Sequence, residues 1–281
     1  MLRIAVPNKG SLSEPAIAML TEAGYKARRR GRELVIRDES SGVEIFFLRP
    51  RDIAVYVGQG TIHLGITGRD LLLDSGAGAV ECKSLGFARS RFRFAGSAGQ
   101  FQDLSDIAGK RVATSYDRLV EDYLADHEVD AAVVHLDGAV ESSIRLGVAD
   151  VIADVVETGS TLRAAGLDVF GPTLLESEAV LICRPQMLED ERVDVVRRRL
   201  DGVMVARSYM VVDYNIHERD LEAALRITPG FDSPTISPLA DTTWMAVRSM
   251  VKTEDVNNVM DQLHAEGARG IIVTALTASR L

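Results

Sequence analysis

The residues best suited to chemistry lie where an apolar, strand-like run, Val151–Val155, opens into a helix-like segment. Asp154 lies near the end of this run, and the segment begins with Thr-Gly-Ser-Thr. Small hydroxyl residues and a glycine at a helix start direct N–H and hydroxyl donors at one point, where the helix dipole also favours negative charge. The tetrapeptide therefore predicts a phosphate loop made of Thr158, Gly159, Ser160 and Thr161.

A simpler alternative is that Thr158 only caps the helix and Gly159 only eases the turn. Asp154 argues against it, because a carboxylate inside an apolar run is unfavourable to bury without partners. At the C-terminal end of a strand, the same carboxylate can accept hydrogen bonds from ribose hydroxyls. A carboxylate for the sugar beside a loop for its phosphate predicts a site for ribose 5-phosphate.

Composition and charge restrict the classes of protein. The 281 residues, 46% hydrophobic and 26% charged, are typical of a globular protein of two or three structural units. No apolar run approaches the roughly 20 residues of a membrane helix, and residues 1–7 do not resemble a signal peptide. We therefore expect a cytoplasmic protein with no membrane partner.

The formal net charge of -9 argues against a broad nucleic-acid surface. The basic run of residues 28–32 has two interpretations, a phosphate patch or a solvated turn between a helix and a strand. An acidic protein can still bind anionic metabolites where its cations converge in one cleft.

Strand and helix patterns alternate through the first two-thirds of the chain, as is typical of α/β proteins. Ser11 followed by Glu14 predicts a capping box for a first helix that ends before Gly24, and a second helix follows Pro50. The alternation restarts near Arg91, which predicts two α/β lobes joined near residues 84–91. The predicted strands are Leu2–Val6, Val43–Leu48, Ile62–Thr67, Arg91–Ala95, Arg111–Ser115, Ala131–Leu136 and Val151–Val155.

The rhythm changes after Ala206, where a βαββαβ order follows a charged helix at residues 189–200. The predicted elements are Tyr209–Tyr214, Glu218–Arg226, Ile236–Leu239, Met245–Val251, Thr253–Glu266 and Ile271–Leu276. This order is typical of ferredoxin-like regulatory modules and predicts a separate domain at residues 205–281.

Ordered motifs run nearly from end to end of the chain. They are Ala5–Gly10, Phe46–Pro50, Leu64–Asp70, Arg111–Tyr116, Leu136–Glu141, Asp154–Leu162, Thr228–Gly230 and Ser233–Thr235. Together they resemble the long form of ATP phosphoribosyltransferase, the enzyme of the first step of histidine biosynthesis. The phosphate loop is also similar to that of type I phosphoribosyltransferases, but Ala153 stands where those enzymes carry a second acid. Departures from the resemblance are Asp117-Arg118 in place of a frequent Pro-Asn, and Arg51 in place of a frequent Lys.

The resemblance implies an α/β fold with a two-lobed, periplasmic-binding-protein-like catalytic region and a C-terminal ferredoxin-like (ACT-like) regulatory domain. Its first lobe would span residues 1–88, with a return of the chain at about 172–204. The second lobe would span 89–171 with the phosphate loop, and the histidine-binding domain 205–281. The implied assembly is a homo-oligomer, from dimers to hexamers.

The implied reaction joins N1 of ATP to the sugar of phosphoribosyl pyrophosphate, with Mg²⁺ as cofactor and histidine as feedback inhibitor. Adenine N1 has no proton to lose, so alignment and stabilisation of the leaving pyrophosphate matter more than a general base. We assign Lys9 and Arg49 as catalytic cations and Arg51 as a phosphate ligand, because each follows a strand-like run at the expected cleft. Plain surface charge is the alternative for all three.

Asp154 and Glu141 would bind ribose hydroxyls or Mg²⁺ waters, with the metal held mainly through the substrate and no direct protein ligand assigned. Glu141 could equally be an exposed helix residue. Asp70 and Tyr116 are candidates for the ATP side, with a helix cap and a core aromatic as alternatives. By resemblance, the residues that would line the histidine pocket are Asn215, Phe231, Thr235, Met250 and Gly270.

Three alternatives stay open at this point. Asn215 stands where relatives can carry Asp, and the C-terminal domain could be purely a structural oligomerisation domain. The whole chain could be another phosphoribosyltransferase. It could also be a two-lobed solute-binding protein, although no export signal or DNA-binding domain is visible.

Overall fold

The structure is a computed structural model that describes residues 1–29, 31, 33–156 and 159–280. The chain divides into two compact units, Met1–Thr21 with Tyr25–Asp194, and Glu22–Gly24 with Val195–Leu281. The first unit has two sheets and the second unit has one. Across these described ranges, no helix is long and apolar enough to cross a membrane.

The first segment of the chain is an α/β segment that ends at Ser84. Its elements are β1 (Leu2–Pro7), α1 (Ser13–Glu22), β2 (Val35–Asp38), β3 (Val43–Leu48), α2 (Pro50–Gly58), β4 (Leu64–Gly68), α3 (Arg69–Ser75) and β5 (Val80–Ser84). The predicted capping box at Ser11 is wrong, because α1 begins at Ser13, whose hydroxyl donates a hydrogen bond to the Pro7 carbonyl at 2.8 Å.

A second α/β segment follows and then returns to the first. Its elements are β6 (Ser90–Ser97), β7 (Arg111–Thr114), α4 (Asp117–Asp126), β8 (Ala132–His135), α5 (Ser142–Arg145), β9 (Val151–Val156), α6 (Ser160–Ala164), β10 (Leu167–Ser177) and β11 (Ala179–Cys183). Short 3₁₀ turns lie at Leu104–Ile107 and Pro185–Met187.

The two sheets define two lobes. Lobe I has the strand order β2-β3-β1-β4-β11-β5, and lobe II has the order β10-β6-β9-β7-β8. The chain therefore crosses between the lobes twice, between β5 and β6 and between β10 and β11. Strands β1, β3 and β4 are parallel, as are β7, β8 and β9, so their following loops emerge at the carboxyl edges of the two sheets.

Each lobe has an apolar core that fixes these strands. In lobe I, Ile53, Ala54 and Val57 of α2 pack with Ala5 of β1 and Ile182 of β11. In lobe II, the core is rich in aromatic rings. They are Phe92, Phe94, Phe101 and Phe170, all fully or almost fully buried. Because buried rings of this size dominate core energetics, they fix β6, which pairs on one side with β10 and on the other with β9, the strand that carries Asp154.

The second unit is a ferredoxin-like fold. Helix α7 (Glu191–Ser208) leads into it, and its further elements are β12 (Tyr209–His217), α8 (Leu221–Ile227), β13 (Thr235–Pro238), β14 (Trp244–Lys252), α9 (Val256–Ala265) and β15 (Arg269–Ala275). The sheet order is β13-β14-β12-β15, with antiparallel neighbours throughout. This order of strands is the one that the βαββαβ pattern predicts.

The sequence pattern missed three elements of the first segment, β2, α3 and β5. Strand β2 has four residues, three of them at least partly exposed, and α3 has only seven residues. Such short elements show too few periods for a hydrophobic pattern. The predicted helix Glu218–Arg226 is also two elements, a 3₁₀ turn at Glu218–Asp220 followed by α8.

Gly65 of β4 permits the close approach of α2, whose first turn carries Arg51. A Cβ added at Gly65 would overlap the Cγ2 methyl of Ile53 and lie 3.1 Å from that of Val57. We therefore expect Gly65→Ala to destabilise the protein by about 1–3 kcal/mol through overpacking. Denaturant unfolding measures this, with Gly78→Ala as the control, because there the nearest atom would be 4.0 Å away. Equal stability of the two variants would contradict this account of the packing.

Candidate active site

The loops at the carboxyl edges of both lobes meet at a cavity of ≈ 200 Å³. Its wall includes Lys9 after β1, Pro50 at the start of α2 and Asp70 in α3. From lobe II it includes Tyr116 after β7 and Val155 of β9. We call this space the interlobe cavity. Open α/β sheets bind ligands at such strand ends.

Lys9 and Arg49 lie beside each other at one end of lobe I, because Pro7 pairs with Leu48 in the β1–β3 register. Both side chains are exposed. Within the described ranges, neither makes a hydrogen bond or ion pair through its side chain. Lys9 lines the interlobe cavity and Arg49 does not, although the adjacent Pro50 does. Two unpaired cations at adjacent strand ends are suited to an anionic ligand.

Asp70 and Tyr116 come from different lobes and meet at the cavity. Asp70 is 7% exposed, and its Oδ1 accepts a 2.7 Å hydrogen bond from the hydroxyl of Ser177, which is 4% exposed. The Asp70 N–H donates back to that hydroxyl at 3.1 Å. Burial first, and then the negative charge of Asp70, raise the pKa of Tyr116. The structure therefore brings together the two residues assigned to the ATP side.

Arg51 bridges the lobes in this structure. Its Nη1 lies 2.7 Å from Oδ2 of Asp74, at the end of α3, and its Nη2 donates to the Ser115 carbonyl of lobe II at 2.5 Å. The guanidinium carbon lies 4.7 Å from the centroid of the Tyr116 ring, in cation–π contact. The other oxygen of Asp74 accepts the Leu119 N–H at 3.3 Å, in the first turn of α4. Two of the guanidinium nitrogens of Arg51 are thus engaged by protein partners, while its side chain stays 44% exposed.

Asp154 lies at the carboxyl end of β9 and is partly buried. Its Oδ1 accepts the Val155 N–H at 2.7 Å. Burial is the largest cause of its raised pKa, and the negative charges of Glu141 and Asp70 raise the pKa further, whereas Arg51 opposes them. Glu141, at the start of α5, is also partly buried. Carboxylates from both lobes therefore act on the Asp154 carboxyl.

The phosphate loop is described from Gly159 onward, and Thr158 lies outside the described residues. Gly159 precedes α6 with φ of 68°, a left-handed conformation that glycine adopts readily. Ser160 begins α6, and both Ser160 and Thr161 are exposed. This turn directly follows the strand that carries Asp154.

The five residues assigned to histidine lie in the second unit and do not all meet. In the strand pairing, Asn215 and Met250 share the sheet face opposite the core. A Cβ on Gly270 would lie 3.4 Å from Nδ2 of Asn215, whereas Phe231 packs edge-on to Tyr209 at 5.6 Å. Thr235 and Gly270 are on opposite edge strands. Three strand spacings separate these edges, about 14 Å, so Thr235 and Gly270 do not meet within one chain.

Sequence reasoning missed Asp74 and Ser177. Asp74 contacts Leu119, and Ser177 contacts Asp70 across 107 positions. No local pattern marks either residue, because the partner of each comes from the other lobe. The only available signal was the resemblance that placed Asp70 near the site.

The fold and the site define a two-lobed α/β enzyme whose cleft combines exposed cations with carboxylates and a phosphate loop. The family model described as ATP phosphoribosyltransferase matches residues 49–202, and the model described as HisG, C-terminal domain matches residues 206–278. The chain belongs to the ATP phosphoribosyltransferase family. The predicted family is therefore confirmed.

Relatives match the chain along its whole length. It is 62% identical over 281 residues to ATP phosphoribosyltransferase of Kocuria rhizophila, and 58% identical over 283 residues to that of Bifidobacterium longum (strain NCC 2705), with 100% of both chains covered in each case. The structure of the ATP phosphoribosyl transferase (HisG:HisZ) complex from Thermotoga maritima aligns with a TM-score of 0.61 at 23% identity, over 72% of this chain and 99% of that one. The predicted fold class is confirmed.

The raised pKa of Asp154 predicts a pH-dependent stability. The folded state binds the proton more tightly than the unfolded chain, so the stability of the parent falls as pH rises from about 3.8 through the raised pKa. Asparagine does not ionise. We expect Asp154→Asn to melt at a higher temperature than the parent at pH 7, with a difference that shrinks towards pH 4.

Thermal unfolding between pH 4 and pH 8 measures this difference. Asp168→Asn, at an exposed position of β10 in the same lobe, is the control and should show no such trend. A constant difference for Asp154→Asn across this range would contradict the electrostatic account.

Proposed function

We propose that the chain transfers the phosphoribosyl group of phosphoribosyl pyrophosphate to N1 of ATP, giving phosphoribosyl-ATP and pyrophosphate. This is the first committed step of histidine biosynthesis, and we place it in the cytoplasm, where ATP is available. The observation that carries the proposal is the partly buried carboxylate of Asp154 with its raised pKa, directly before the phosphate loop. A group held in this unfavourable state, next to Val155 in the wall of the interlobe cavity, is a candidate for function.

The residues divide the chemical work by charge. The Lys9 and Arg49 cations stabilise the negative charge that grows on the leaving pyrophosphate. Asp154 and Glu141 accept hydrogen bonds from the ribose hydroxyls and stabilise the positive charge on the sugar. Asp70 and Tyr116 position the adenine, whose N1 attacks with inversion at the anomeric carbon. No residue has to remove a proton, because N1 is unprotonated.

Mg²⁺ fits this set of residues as a partner of the pyrophosphate. Within the described ranges, no group of three His, Cys, Asp or Glu side chains could hold a metal ion by itself. Asp154 and Glu141 offer the oxygen donors that a hydrated Mg²⁺ prefers. The ion, bound mainly through the substrate, would neutralise pyrophosphate charge. We expect the two carboxylates to contact its waters rather than the metal.

We further propose that residues 205–281 sense histidine and that the catalytic region spans 1–204, with lobe boundaries near residues 88 and 171. The second unit has its own core, centred on Val212, Tyr214 and Leu263, and can be a separate module. The side-chain amide of Asn215 lies next to Gly270, which has no side chain to cover it, so the amide can donate to a ligand. We propose a homo-oligomer, dimers that assemble into hexamers, because Thr235 and Gly270 lie on opposite edges of the sheet and a second copy could complete the site.

The substrate assignment predicts a selective loss of affinity. We expect Asp154→Asn and Thr161→Ala to weaken phosphoribosyl pyrophosphate at least tenfold and ATP much less, because a hydrogen bond to a charged group is worth about 1.5–3 kcal/mol. Calorimetry with each substrate, and ultraviolet detection of N1-substituted adenine, measure binding and turnover. Asp168→Asn is the control. Equal weakening of both substrates by either variant would contradict the assignment.

The regulatory assignment predicts inhibition that does not compete at the cavity. We expect histidine to bind the intact chain, and Thr235→Ala or Asn215→Ala to raise the inhibitory concentration about fivefold or more, because each removes a hydrogen-bonding group worth about 1 kcal/mol. Inhibition curves measure this, with Thr242→Ala, at an exposed turn position, as the control. Absence of histidine binding at millimolar concentration would refute the proposal.

A further inference from the structure

The basic run of residues 28–32 contributes one side chain that is packed rather than solvated. The guanidinium carbon of Arg29 lies 4.4 Å from the centroid of the Phe47 ring, and Phe47 is 1% exposed. The Nη2 of Arg29 also donates to the Asn8 carbonyl at 3.3 Å. A cation held on a fixed aromatic face with a directed hydrogen bond has little rotational freedom. The solvated-turn interpretation does not describe this residue.

The bonded carbonyl belongs to the peptide that joins Asn8 to Lys9. Neighbouring parts of this loop are held by other groups, since Asn8 N–H donates to the Leu48 carbonyl at 2.8 Å and Ser13 Oγ donates to the Pro7 carbonyl at 2.8 Å. The side-chain oxygen of Asn8 is buried and has no hydrogen-bond partner among the described residues. Arg29 is therefore the side chain that fixes the peptide directly before Lys9.

The segment that carries Arg29 is itself anchored. The Lys26 N–H donates to Oδ2 of Asp38 at 3.1 Å, and Asp38 is fully buried at the end of β2. Burial alone would raise the pKa of Asp38, but hydrogen bonds from Ser40, Lys26 and Ser41 lower it to about 2. Asp38 thus stays ionised at neutral pH and keeps hold of the backbone three residues before Arg29.

We propose that Arg29 is a positioning residue that acts on the reaction through Lys9. By holding the Asn8–Lys9 peptide against Phe47 and β3, it sets the direction in which the Lys9 side chain leaves the loop toward the interlobe cavity. This inference rests on the proposed role of Lys9 as a cation for the pyrophosphate. Arg29 itself does not line that cavity.

The test is Arg29→Met, which keeps an unbranched chain on Phe47 but removes the hydrogen-bond donor and the charge. We expect about fivefold weaker binding of phosphoribosyl pyrophosphate by calorimetry, the value of one ordinary hydrogen bond, with ATP binding unchanged. Arg29→Lys, which can still donate to the Asn8 carbonyl, should recover most of the loss. Arg28→Met is the matched control, an adjacent exposed arginine whose side chain makes no hydrogen bond or ion pair in the described ranges, and should bind like the parent.

A double-mutant cycle with Lys9→Ala distinguishes positioning through Lys9 from direct electrostatic action of Arg29 on the substrate. If Arg29 acts through Lys9, Arg29→Met has no further effect in the Lys9→Ala background. An undiminished fivefold loss there would show direct electrostatic action and overturn the proposal. If Lys9→Ala alone changes nothing, the proposed role of Lys9 fails. If Lys9→Ala weakens the binding of phosphoribosyl pyrophosphate and Arg29→Met does not, only the positioning role of Arg29 is overturned.

Loss of folding is checked by the melting temperature of each variant. Should Arg29→Met melt early, Phe47→Leu provides the second route, because it removes the ring under Arg29 while keeping the core filled and the charge in place. We expect the same selective weakening of phosphoribosyl pyrophosphate. Unchanged binding of phosphoribosyl pyrophosphate by Phe47→Leu would overturn the proposal, because Arg29 would then not need the Phe47 ring to act.

Discussion

The chemistry proposed for the site depends on the partly buried carboxylate of Asp154, which burial removes from water and which the negative charges of Glu141 and Asp70 repel. Burial and this repulsion raise the pKa of Asp154, so the folded chain holds a carboxylate in a state less favourable than in water. Hydrogen-bond donors from a ribose, and a cation carried by its pyrophosphate, would relieve that state. Burial and the neighbouring negative charges, which disfavour the ionised form of Asp154, would thus favour binding of the proposed substrate.

The same region couples the lobes. The interlobe cavity of ≈ 200 Å³ is smaller than the roughly 300–1,000 Å³ of most ligand pockets, and Glu141 and Asp154, both assigned to a substrate, do not line it. Ser177, hydrogen-bonded to Asp70, lies in one crossing between the lobes, and Ala88, with a left-handed φ of 51°, lies in the other. Arg51, assigned to phosphate, contacts Asp74 in lobe I and Ser115 in lobe II. Residues assigned to ligands therefore also make the contacts between the lobes.

The sequence was informative where local chemistry decides structure. Alternation of apolar residues placed β3 at its observed bounds, and the glycine before α6 lies in the left-handed turn that the phosphate loop needs. Sequence patterns failed where contacts outside the local pattern determine the structure. Ser11 has the right spacing for a capping box, but the bond from Ser13 to Pro7 starts the helix later. Arg29 sits in a run typical of solvated charge, yet a ring 18 positions away holds it.

The contacts of Arg51 also bear on how a remote effector could inhibit under the proposed function. Inhibition requires that the effector bind one state of the protein better than another. The state described here, with Arg51 on Asp74 and over Tyr116, covers one face of a ring assigned to ATP and uses two nitrogens of a group assigned to phosphate. An effector that favours this state by about 1–3 kcal/mol lowers the apparent affinity for both substrates by the same coupling. Histidine would then inhibit without approaching the interlobe cavity, because the protein's own arginine occupies the positions that the substrates need.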